Sequence, residues 1–70
     1  MKIVKVIIEK SKDMYSSYAE SVQGIYGGGD TIQEAKQSII DAIALYKKYN
    51  KNIPAILKGK YELVFKFDTL

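Results

Sequence analysis

The chain has 70 residues, 47% of them apolar, with eleven Lys, no Arg, eight acidic residues and a net charge of +3. A chain this short buries about 60% of its surface, enough for one small core, which excludes a two-domain enzyme with an interdomain cleft. The absence of Cys and His excludes disulfides, cysteine-based zinc sites and the usual neutral-pH acid/base.

The first element is a strand over residues 2–10. Val4, Val6 and Ile8 form one apolar face, and Ile3 and Ile7 stand between charges on the other. Lys5, Glu9 and Lys10 interrupt this run, so no signal peptide fits. No stretch approaches the ~20 apolar residues of a membrane span. The expectation is a cytoplasmic protein without a membrane partner.

Ser11-Lys12-Asp13 reads as a turn, and residues 14–20 as a second strand antiparallel to the first. Ile25 and Tyr26 suit a short third strand that ends at Gly27-Gly28-Gly29, where no side chain remains to support pairing. The helix signal is the strongest in the chain. Thr31 and Glu34 have the spacing of a capping box. Ile32, Ala35, Ile39, Ala42, Ile43, Tyr46 and Tyr49 recur at intervals of three and four. Lys47 and Lys48 suit the last turn, and Asn50 suits a left-handed stop, which puts the helix at 31–49.

Pro54 to Leu57 suit a single helical turn closed by Gly59, before a final strand over 61–67. Tyr61, Leu63, Phe65 and Phe67 share one face of that strand; Glu62, Val64, Lys66 and Asp68 share the other. A helical crossover makes this last strand parallel to an earlier one, and the apolar first strand is the natural partner. The fold class is therefore α+β. It is a two-layer β-β-β-α-β domain with sheet order 3-2-1-4 and one long helix packed on one face. The opposite face carries Ile3, Ile7 and Val64, too apolar to stay wet, which points to a second subunit (a dimer) or a partner protein.

The triple glycine before a helix invites a phosphate-loop reading, but no Lys-Ser/Thr pair follows, and Asp30 and Glu34 repel an anion there. Magnesium-dependent nuclease chemistry needs carboxylates converging on strand centres. The centre of the first strand instead holds Val4, Lys5 and Val6. No catalytic, metal or cofactor residue is assigned. Tyr15, Tyr18 and Tyr26 lie on the short strands as candidate interface residues, alongside Ile3, Ile7 and Val64. The same tyrosines, with the lysines, could stack and bind single-stranded nucleic acid. The lack of Arg disfavours that alternative.

The order Tyr18-Ala19-Glu20, Gly24-Ile25-Tyr26, then Gly29-Asp30-Thr31-Ile32-Gln33-Glu34-Ala35, a helix ending near Ala44-Leu45-Tyr46, and Ile53-Pro54 resembles the N-terminal domain of HicB antitoxins. The resemblance spans residues 2–67 and treats 1–70 as a single such domain, without the C-terminal DNA-binding segment common in that family. It implies a partly degraded RNase H-like fold and a non-catalytic role. The implied partner is a HicA-like toxin, an mRNA-cleaving protein neutralised by occlusion. Such a toxin is expected to be basic, so acids such as Glu20, Asp30 and Glu34 are candidates for a negative patch.

Overall fold

The computed structural model describes residues 2–68. Its elements are β1 (Lys2–Lys10), β2 (Tyr15–Ala19), β3 (Tyr26–Gly29), α1 (Ile32–Tyr49), a 3-10 turn (Ala55–Leu57) and β4 (Tyr61–Asp68). The sheet order is β3-β2-β1-β4, with β1 antiparallel to β2 and parallel to β4. This is the α+β layout expected from the sequence. The β-branched residues of β1 make it the central strand, buried on its helix side through Val4, Val6 and Ile8.

The capping box forms as its spacing requires. Glu34 N–H donates to Thr31 Oγ1 at 3.1 Å, while the Thr31 and Asp30 amides donate to Glu34 Oε1. Ala35, Ile39 and Ile43 are the buried stripe of α1. Ile39 and Ile43 pack with Val4, Val6, Ala19, Val22, Ile25 and Leu57 in one core. Ile53, extended before Pro54, packs against the rim of this core. Gly59 closes the 3-10 turn region with φ +72°, a conformation that suits glycine.

Three expectations need correction. The glycine tract is strand rather than break: β3 runs through Gly27, Gly28 and Gly29, while Ile25 precedes it and enters the core. The reason is steric. A Cβ on Gly27 would lie 2.7 Å from Ser17 Oγ and 2.8 Å from the Ile39 amide nitrogen, so only glycine lets the helix approach the strand this closely. Second, Tyr49 leaves the core stripe and is 72% exposed, because the helix runs past the end of the sheet there. Third, Asn50 is extended (φ −113°, ψ 130°) rather than left-handed. It closes the helix by donating both its backbone and its side-chain N–H to the Tyr46 carbonyl.

The helix sits off-centre over its face of the sheet. Its backbone lies closest to β3 and β2 and less so to β1. It reaches β4 through long side chains: Lys36 Nζ stands 5.2 Å from the Phe65 ring and Lys47 Nζ 4.9 Å from the Tyr61 ring. The helix-side residues of β4 are therefore only half-buried, and Phe67 is 52% exposed.

Candidate protein-binding face

The sheet side away from the helix is built by strand parity. Ile3, Lys5, Ile7 and Glu9 alternate with the buried residues of β1, so they point outward. Register then fixes their neighbours. Ile7 pairs with Tyr18, Tyr18 with Tyr26, and Ile7 with Lys66. This makes one cross-strand row, Tyr26–Tyr18–Ile7–Lys66. The next row toward the start of β1 pairs Lys5 with Val64, and the Glu20 amide donates to the Lys5 carbonyl at 2.9 Å. Ile3 stands beside Glu62, and Glu9 beside Asp68 and Ser16.

Five of the six residues singled out from the sequence thus share this face: Ile3, Ile7, Tyr18, Tyr26 and Val64. Ile3 is 51% and Tyr26 68% exposed; Ile7, Tyr18 and Val64 are half-buried by their neighbours. Tyr15 is on the other side. It pairs with Lys10 and Gly29, three positions from Tyr18 and so of opposite parity. There it lines a small cavity of about 210 Å³ with Ile8, Lys10, Ile32, Phe67 and Asp68.

The charge on this face differs from that of the whole chain. Of the strand residues, two lysines, Lys5 and Lys66, project here against three carboxylates, Glu9, Glu62 and Asp68, with Glu20 one residue after β2 and Lys60 one residue before β4. A protein of net positive charge therefore carries an acidic, partly apolar sheet face. The Tyr18 hydroxyl registers this field. Its pKa is raised above 10.0, first by desolvation and then by the charges of Glu9, Asp68 and Glu20. Of the acids read as a possible patch, only Glu20 lies on this face. Asp30 and Glu34 serve the start of α1. Glu9, Glu62 and Asp68 were the missed members; their shared parity with Ile7 and Val64 was the available signal.

Among the described residues, no group of three or more Asp or Glu side chains converges closely enough to hold a metal ion. A second, shallow groove of about 490 Å³ runs where α1 meets β3, lined by Tyr26, Glu34, Gln37, Ser38, Asp41, Ala42 and Leu45. No described helix is long and apolar enough to cross a membrane. Comparisons with protein-family models, with curated proteins and with solved structures return no match to this chain.

Proposed function

We propose that this chain is a non-catalytic protein-binding domain whose open sheet face docks a small basic protein and covers that protein's working surface. The observation that carries the reading is the Tyr26–Tyr18–Ile7 row set among Glu9, Glu20, Glu62 and Asp68. Aromatic and aliphatic side chains held rigidly on a sheet make good interface anchors, and a surrounding negative field steers a basic partner. An RNA-cleaving toxin of the HicA type has that chemistry. The HicB-like order of motifs supports the same choice of partner, with this chain acting as the antitoxin by occlusion.

The test is co-purification with the small basic protein encoded beside this chain. Capture is expected to weaken as salt rises. Ile7→Asp and Tyr18→Ala are each expected to weaken it by at least ~30-fold, the scale of a hot-spot residue, with circular dichroism unchanged. Absence of any such neighbour together with an empty pull-down refutes the reading.

A second reading rests on a different surface. Tyr49 is exposed at the end of α1, with Lys48 Nζ 5.5 Å from its ring and Lys47 and Lys51 nearby in the chain. That patch suits a single-stranded nucleic acid, with Tyr49 stacking and the lysines meeting phosphates. It predicts binding of mixed RNA at ~50 mM salt that falls steeply with added salt. No binding under those conditions eliminates it.

A further inference from the structure

The outer edge of β4 has no covering element. β4 is the last strand of the sheet, and among the described residues none of its backbone groups enters a bond outside the ladder with β1. It is eight residues long, contains no Pro and presents half-buried Leu63, Val64 and Phe65 beside exposed Phe67. An edge of this length is a template for another strand.

The charges along that edge are arranged as a palindrome. On the open face the strand order is Glu62, Val64, Lys66, Asp68, and Lys60, one residue before the strand begins, continues the same alternation in sequence. Two copies of β4 laid antiparallel about a two-fold axis at Val64 put Glu62 opposite Lys66 of the other copy and Lys60 opposite Asp68. By symmetry each pair occurs twice. On the helix side the same register puts Tyr61 opposite Phe67 and Leu63 opposite Phe65.

Other centres fail. An axis at Phe65 sets Glu62 against Asp68. One at Leu63 sets Lys60 against Lys66, and one at Lys66 sets that lysine against itself. An axis between two residues pairs side chains of opposite faces, which the pleat forbids. Opposite charges directly across an antiparallel pair stabilise it and like charges destabilise it, so the pattern selects one register.

We propose that β4 pairs with β4 of a second copy of this chain, antiparallel and centred on Val64, making one continuous sheet of eight strands with the two helices on the same side. The contact is isologous and closes on itself, so it yields a dimer rather than a filament. It covers the exposed side of Phe67 with Tyr61 of the second copy. The Tyr26–Tyr18–Ile7 row lies on strands away from this edge and stays accessible in both copies.

The experiment uses the whole chain. In sedimentation at about 100 µM, where a modest edge contact of micromolar Kd is populated, the wild type is expected at twice the 7.9 kDa of the monomer. Glu62→Lys and Lys66→Glu each create two like-charge pairs and are expected to weaken the dimer at least about tenfold. The double variant Glu62→Lys/Lys66→Glu restores every pair and is expected to return to within about threefold of wild type. Val64→Cys places the chain's one thiol on the axis and is expected to form an intermolecular disulfide faster than Glu62→Cys, whose partner position is Lys66.

A monomeric wild type at that concentration overturns the proposal. So does a double variant that folds but does not recover. If the charge variants do not fold, the cysteine pair decides: equal cross-linking of Val64→Cys and Glu62→Cys overturns it. A wild type that is monomeric but still captures its partner refutes this edge contact alone, and a dimeric wild type that captures nothing refutes the docking face alone.

Discussion

Ser17 and Tyr18 are adjacent in β2 and do opposite work. Ser17 points under the helix, fully buried, and its hydroxyl donates to the Ala35 carbonyl at 3.0 Å, tying α1 to the sheet. No buried side-chain polar atom among the described residues lacks a partner, so this hydroxyl sits in a satisfied core. Tyr18 points the other way, into the acidic face. Its raised pKa has a definite sign in stability. The neutral phenol is favoured in the folded state, so the contribution is complete below about pH 10, the ordinary tyrosine value, and is lost as pH rises through the folded value. Removing the neighbouring charges in Glu9→Gln/Glu20→Gln/Asp68→Asn is expected to bring the Tyr18 titration, followed by NMR of its ring, back toward 10. No movement on removal of the three charges would show that desolvation alone raises it. The parity that separates these two residues is readable from the alternation of β2. The same alternation separates Tyr15 from Tyr18: three positions apart on one strand, they take opposite faces although residue type alone pairs them as interface candidates.

At the scale of elements, the close packing of β3 against α1 controls the fold. The Gly28 amide donates to Ser38 Oγ at 3.1 Å, which closes the outer edge of β3 with a helix side chain. That leaves β4 as the open edge. Gly27→Ala is expected to destabilise the protein by about 1–3 kcal/mol, because the added carbon meets the helix backbone at Ile39 and overpacked sites of this kind cost that much. Urea unfolding measures it; a change under about 0.5 kcal/mol would mean that the helix lifts freely from β3. The limits of α1 were legible because caps are local: a threonine, a glutamate three residues on, and terminal lysines act within one turn. The strand character of three glycines was not. Glycine weakens a strand taken alone, and only the helix lying across β3 makes the missing side chains necessary.

Over the whole molecule the core is small. A chain of this length has a total stability of roughly 4–10 kcal/mol, and truncating a fully buried isoleucine costs about 2–5 kcal/mol. Ile39→Ala removes such a side chain at the centre of the helix–sheet contact. It is expected to lower the urea midpoint by at least about a fifth; an unchanged midpoint would mean that the core does not centre on Ile39. The exposed surface is 5019 Å², above the roughly 4,400 Å² of a compact monomer of this mass. Large apolar side chains meet solvent on the open sheet face (Ile3, Tyr26) and at Phe67 of β4, and also along α1 (Ile40, Leu45, Tyr49) and at Met14.

The order and type of the elements, the pairing of β1 with β4 and the apolar character of the open face follow from the sequence alone. Alternation, capping and chain connectivity are short-range or topological properties, and each leaves a pattern in consecutive residues. The lateral position of α1 over β3 and β2, the close approach of α1 that makes the glycines of β3 necessary, and the gathering of Glu9, Glu20 and Asp68 around Tyr18 were decided by the tertiary structure. Each depends on which distant residues become neighbours once strands of fixed parity are brought into register, and no local pattern records that distance.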